Sequence, residues 1–388
     1  MRPESVAAPS SLVVERLIDE AYDGPAWLQL AAGRVVARGT GAPPRPAEAT
    51  IAVAVPGLVD MHCHGAAGVD FGALAADPSP GLAHHAGLGV TRLVASIATM
   101  AWPALIDRLR ELAPLVHDGT LAGLHLEGPW LSVHRCGAHD PRLLRAPAPA
   151  EVVEALNAGD GAITMVTLAP EMPGALDAVR RLTEAGVTVA LGHSQAPTDV
   201  VHRAVDAGAR VITHLYNGMP SLHHREPGLV GVALSDASLT VELIADGEHV
   251  ADEAIDVVRA AAGGRMALIS DAMAATGLGD GDYVLAGSAV RVQDGVARVV
   301  TTDGTAGALA GSTTTVGEAF GWLVRRGVPV LEVARAATVT PARALGLPAP
   351  SLAVGAPADL VEITSTGVGR VLHRGRWLTR PTAPSPRP

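Results

Sequence analysis

Cysteine is nearly missing from this chain of 388 residues: Cys63 and Cys136 are the only two, so no disulfide framework organises the fold. Aromatic residues are scarce at 3%, which leaves Ala, Val, Leu and Ile to build the core. Lysine does not occur; all 29 basic side chains are Arg, and with the abundance of Ala, Gly and Val this fits a GC-rich coding background. Positive charge is also the scarcer sign, and the formal net charge of −10 argues against nucleic acid as a partner, because neutralising phosphates needs a basic surface. An anionic small substrate would need a local cationic grip within an acidic whole. No apolar run reaches the roughly 18 residues that span a bilayer, and the opening "MRPESVAAPSS" has no apolar leader core. The expectation is a soluble, cytoplasmic protein with neither nucleic acid nor membrane as partner.

What is present is a globular composition, 48% hydrophobic with 18% charged, arranged in a regular series. Short apolar runs read as strands at 54–64, 91–98, 121–128, 162–170, 187–194, 209–217, 239–247 and 265–272. Amphipathic stretches such as "PALIDRLRELAPLV" and "GALDAVRRLTEAG" separate them. Eight strands alternating with helices is the count of a (β/α)8 TIM-type barrel. An open doubly wound sheet would need a glycine-rich phosphate fingerprint after its first strand, and "HCHG" holds that place. The flanks alternate more tightly, and residues 1–53 and 346–380 read as two parts of a small β-sandwich made by both termini around a barrel of 54–345. The hairpin-like 283–300, an insert in the barrel segment, has the same character and is assigned to that sandwich; the Pro-rich 381–388 reads as a disordered tail. No internal repeat is evident.

The polar residues of the barrel segment fall at the predicted strand ends. The first run closes on "VDMHCHG", where His62 and His64 lie two apart and so share a face, with Cys63 turned to the opposite, packed side. Glu127 ends the third strand, His193 the fifth, His214 the sixth and Asp271 the eighth. Strand C-termini of a barrel converge on one mouth, so these residues form an imidazole and carboxylate set suited to zinc or another first-row divalent ion, with iron, manganese and cobalt accepted by the same ligands. In the loops at the same mouth, Arg225 offers a planar fork for phosphate and His249 a second donor. The neighbouring His223 and His224 read as surface residues, and Cys136 lies in the loop that carries His139.

The segments "PGLVDMHCHG", "GLHLEGPW", "VTLAPE", "LGHS", "THLYNGM", "REPGLVG", "IADGEHV", "ISDAMAATG" and "LAGSTTT" resemble the successive motifs of the N-acetylglucosamine-6-phosphate deacetylases of the amidohydrolase superfamily. The resemblance runs from about residue 55 to 345. It implies that Glu127, His193 and His214 bind a principal metal, and that His62 and His64 build a second position with Glu127 bridging and Asp271 touching the metal or its water. One or two ions per subunit follow, since some members lack the first histidine pair. It further implies that His139 contacts the substrate carbonyl and that Asn217 and the Gly218 backbone bind the substrate. Arg225 is implied to reach the neighbouring subunit's site in a homodimer. The implied reaction is hydrolysis of the N-acetyl group of N-acetylglucosamine 6-phosphate, with Asp271 as base and then acid.

The chain departs from the family pattern at "HGAAGVDF", at "ASIATM", and at "YNGM", where an Asn-Ala pair is commoner. These positions border the sugar rather than the metal, so a related N-acetyl amino sugar, in recycling or in a biosynthetic pathway, is the alternative substrate. A dihydroorotase-like cyclic-amide hydrolase would normally bring a carboxylated lysine after the fourth strand, and "VTLAPE" offers none. A non-catalytic barrel would tolerate loss of Asp271 or of a metal ligand, and none is lost.

Overall fold

A computed structural model of the chain describes residues 5–7 and 9–381; all of the predicted tail beyond 381 lies outside them. Eight strands form one sheet in strict chain order: Leu58–Cys63, Val90–Ala98, Gly123–Glu127, Ile163–Leu168, Thr188–Leu191, Val211–Ile212, Thr240–Ile244 and Met266–Ile269. Every ladder between neighbours is parallel. The Asp271 amide donates to the His62 carbonyl at 2.9 Å, tying the end of the eighth strand back to the first. Helices such as Trp102–His117, Ala175–Glu184, Thr198–Ala207 and Asp252–Ala262 follow individual strands and bury one face each against the sheet. This is the (β/α)8 barrel that the alternation predicts.

The run read as one strand over 54–64 is two. Ala49–Pro56 belongs to a sheet of the chain ends, and the barrel begins at Leu58. Only Gly57 lies between them, and the first strand ends at Pro56, which has no amide to donate to a ladder. Terminal strands from both ends join in one eight-stranded sheet with its own apolar core, including Leu12, Leu28, Ile51, Leu360 and Leu372.

The hairpin at 283–300 is a correction. It does not join the terminal sheet; it belongs to a separate four-stranded antiparallel sheet of Gly281–Leu285, Ser288–Gln293, Val296–Val300 and Ala306–Leu309. This sheet packs on Met273 and Ala275, just past the eighth barrel strand. A period-2 pattern specifies a half-buried strand, not the sheet that receives it.

The barrel interior is layered. Met61, Val94, Met165, Ala190, Val211 and Ala267 form an apolar floor. Two residues further along their strands, Val94, Met165 and Val211 give way to Ser96, Thr167 and Thr213, all buried. Among the described residues no helix is long and apolar enough to cross a membrane.

Candidate active site

Three ligand candidates reach the rim by the same local device. The fifth, sixth and eighth strands stop, one small residue follows (Gly192, Thr213, Ser270), and then His193, His214 and Asp271 adopt left-handed φ values of 46°, 27° and 50°. A non-glycine residue held there costs on the order of 1–3 kcal/mol and persists only where its surroundings over-determine it. Here they do. The Ser132 amide donates to the His193 carbonyl, the His214 amide to Glu242 Oε2, and the Ser312 amide to the Asp271 carbonyl.

The buried Glu127 carboxylate stands at the centre. Its Oε1 lies 3.2 Å from His193 Nε2 and 3.0 Å from His214 Nε2, while Oε2 lies 3.1 Å from His64 Nε2. The two pairs of imidazoles face each other, His193 and His214 at 3.1 Å and His62 and His64 at 3.2 Å between their Nε2 atoms. Asp271 Oδ1 completes the second pair, 3.5 Å from His62 Nε2 and 3.4 Å from His64 Nε2. The six residues predicted to meet at the rim do meet, and all are buried.

The tautomers show that these nitrogens suit a cation. His193 Nδ1–H donates to the Arg135 carbonyl at 2.7 Å, and His62 Nδ1–H to Glu242 Oε2 at 3.0 Å. With Nδ1 carrying the proton, His193 and His62 in their neutral forms each turn an Nε2 lone pair toward the neighbouring ring nitrogen, and so close an approach of two nitrogens calls for a proton or a metal between them. Burial by itself would lower the pKa of His62 and of His64, but the carboxylates outweigh it. Glu127, Glu242 and Asp271 hold His62 well above the usual imidazole value, and hydrogen bonds to Asp271 and Glu127 hold His64 at about 9. That excess of negative charge is what a divalent ion would neutralise, and neutral imidazole with carboxylate is the donor set of zinc and its neighbours.

His139 is part of the same cluster but has a different capacity. Its Nδ1 accepts the Thr99 amide at 3.3 Å, so the ring proton sits on Nε2, 3.4 Å from Glu127 Oε2. Burial brings its pKa down to about 4, which leaves a neutral N–H donor facing the cavity. His139 is 6% exposed, so it is not a solvated loop residue. The loop carrying it wraps His193, whose ring lies between Gly137 and Gly218. A Cβ on either glycine would come within 3.1 Å of the imidazole, which gives the departure at "YNGM" a steric sense.

The cavity in front of these groups measures about 760 Å³ when the open solvent at its mouth is counted. Asn217, Gly218 and His249 line it as expected. His249 donates from Nδ1 to Asp246 Oδ2 at 2.6 Å; burial would lower its pKa, and the Asp246 carboxylate raises it instead. Arg225 is not among the lining residues. It is exposed, its guanidinium beside His224 Nε2 at 2.9 Å, and His223 and His224 are exposed with it. Cys136 is half-buried in the His139 loop; Cys63 is fully buried, 3.2 Å from His85 Nε2.

Several participants carry no strand-end signature. Leu285, Ala286, Ala308 and Leu309 of the inserted sheet close one side of the cavity, and Ser288 Oγ donates to the Ala138 carbonyl beside His139. Beneath the rim runs a chain of hydrogen bonds. The Cys63 amide donates to Ser96 Oγ, and hydrogen bonds continue from Ser96 Oγ to His125 Nδ1, from His125 Nε2 to Thr167 Oγ1, and between the Thr167 and Thr213 hydroxyls. It ties residues on or just past five strands together beneath the ligand cluster. Glu242, from the seventh strand, was also not foreseen.

The sequence signature of the amidohydrolase family matches residues 53–373. The N-acetylglucosamine-6-phosphate deacetylase of Vibrio furnissii is 40% identical over 345 residues, covering 86% of this chain and 84% of that protein. The N-acetylgalactosamine-6-phosphate deacetylase of Escherichia coli O157:H7 is 39% identical over 318 residues, covering 80% and 83%. Among solved structures, that of N-acetyl-D-glucosamine-6-phosphate deacetylase from Mycobacterium smegmatis, an aspartate-to-alanine variant in complex with N-acetyl-D-glucosamine-6-phosphate, gives a TM-score of 0.90 at 44% identity, covering 95% of this chain and 99% of that one.

Proposed function

We propose that this chain, which belongs to the amidohydrolase family, hydrolyses the N-acetyl group of N-acetylglucosamine 6-phosphate to glucosamine 6-phosphate and acetate, a step of amino-sugar recycling. The observation that carries this reading is the division of Glu127 between two imidazole pairs, with Asp271 and the His139 N–H on the cavity side. In this reading Glu127, His193 and His214 would hold one divalent cation, zinc or a first-row neighbour, and His62 and His64 beside Glu127 would hold a second.

A divalent cation bound there supplies an acidified water and a polarised carbonyl. The protein does the rest. Burial would raise the Asp271 carboxyl, but His62 and His64 outweigh it and keep it below the ordinary carboxylate range, so it is ionised and able to take a proton. Asp271 removes the proton of the attacking water and returns it to the leaving nitrogen. The His139 Nε2–H donates to the carbonyl oxygen as negative charge develops there. Because that ring is neutral down to a pKa of about 4, it serves as a donor without competing as a charged acid. Asn217, the Gly218 backbone and His249 bind the phosphorylated sugar, and Arg225 reaches the neighbouring site of a cytoplasmic homodimer.

The relative from Escherichia coli O157:H7 favours a second reading, in which the sugar is N-acetylgalactosamine 6-phosphate. Both are tested by following acetate release from the two phosphorylated sugars and from unphosphorylated N-acetylglucosamine, with metal content measured on the same sample. Preference between the phosphorylated sugars decides the substrate. Metal-loaded protein inert toward both would contradict the proposed reaction.

A further inference from the structure

We infer that Glu242 is a positioning residue that makes His62 a metal ligand and thereby determines whether a second cation is retained. The inference rests on the reading above that Glu127, His193 and His214 hold a first one.

Glu242 lies in the seventh strand, Thr240–Ile244, and is completely buried. One oxygen makes two contacts on two different strands: Oε2 accepts His62 Nδ1–H at 3.0 Å and the His214 amide at 3.1 Å. The other, Oε1, has no hydrogen-bond partner among the described residues. A buried carboxylate without a lysine or arginine partner is costly to keep unless other charges compensate it, and the group it faces is a rim imidazole.

Each imidazole pair has one ring fixed and one unfixed. In the His193–His214 pair, His193 is held by the Arg135 carbonyl, and His214 Nδ1 has no partner among the described residues. In the His62–His64 pair, His62 is held by Glu242, and His64 Nδ1 has none. Without Glu242 neither ring of the second pair would have a defined tautomer, whereas the first pair would keep its anchor. A carboxylate behind an imidazole also raises its basicity as a ligand more than a carbonyl does, and losing such a partner typically lowers metal affinity about 10–100-fold. The contact with the His214 amide lets the same carboxylate register the two positions against each other. The two ions thus depend on it unequally.

Wild type, Glu242→Gln and Glu242→Leu, each as the full chain, are stripped of metal and dialysed against graded Zn²⁺; bound ions are counted by elemental analysis and folding is checked by circular dichroism. The expected result is two ions on wild type. Glu242→Leu should keep the tighter ion and bind the second at least about 10-fold more weakly. Glu242→Gln, which can still accept the Nδ1 proton but carries no charge, should fall between, and it alone carries the test if the leucine variant does not fold. Two ions with wild-type affinity in the variants would overturn the inference, as would equal weakening of both ions or saturation of wild type at one. A wild-type chain that binds no divalent ion would instead defeat the reading on which the inference rests.

Discussion

The metal centre and the loop that carries Arg225 are built differently. At the metal end, Glu127 is surrounded by five imidazoles at 3.0–3.6 Å, all of them buried. Outside the cavity, the arginine expected to grip phosphate is exposed, and its hydrogen bonds among the described residues run to its own histidine neighbours. The chemical groups are therefore preorganised within one chain, while the arginine proposed as anchor stands outside the cavity of its own chain. Differential stabilisation of the transition state needs fixed groups; a phosphate anchor delivers binding energy and can come from a second subunit.

The largest effect is expected where that preorganisation meets the reaction. Asp271→Asn should lower kcat by about 10²–10⁴-fold, the span of general acid–base catalysis, while elemental analysis shows metal still bound. Retained turnover would break the assignment of the metal end. His139→Ala should cost about 10²–10³ in kcat with little change in KM; a purely architectural loop residue would alter metal content and KM as well.

At the proposed anchor, Arg225→Ala should raise KM for the phosphorylated sugar about 10–100-fold, as loss of a charge-assisted contact does, and leave the unphosphorylated sugar unaffected. Mixing Arg225→Ala with Asp271→Asn chains sharpens the contrast. If the arginine acts across a dimer, a mixed dimer contains one site with both groups intact, and activity above that of either parent appears. No recovery would place the arginine in its own subunit's site or outside any site.

The smallest effect concerns protons. Because His64 must lose a proton whose pKa stands at about 9, cation affinity should fall as pH drops below that value, by about tenfold per unit for each proton displaced. Chelator competition at pH 6 and pH 8 measures it; affinity independent of pH would mean that the rim histidines are not the ligands.

Much of the metal end was legible in the sequence because a histidine or carboxylate closing an apolar strand conflicts with its surroundings, and a barrel brings all such strand ends together. Glu242 is equally anomalous, the one carboxylate within "LTVELIA", but it sits in mid-strand, where the apolar pattern reports burial alone. The partners that fix tautomers, the Arg135 carbonyl and the Thr99 amide, are backbone groups and leave no trace in residue type. The hairpin at 283–300 points to the terminal sheet in sequence because alternation there and in the termini reports the same half-burial. Arg225 could be singled out by chemistry, but which subunit it serves is a property of an assembly.

The central claim is that one cation-centred cluster performs the hydrolysis. It is tested most directly by removing divalent metal from the purified chain and titrating Zn²⁺ back while acetate release from N-acetylglucosamine 6-phosphate is recorded. Activity should vanish in the stripped protein and return in proportion to ions bound, reaching its plateau as the sites at Glu127 fill. Full turnover by protein shown to contain no divalent metal would contradict the account.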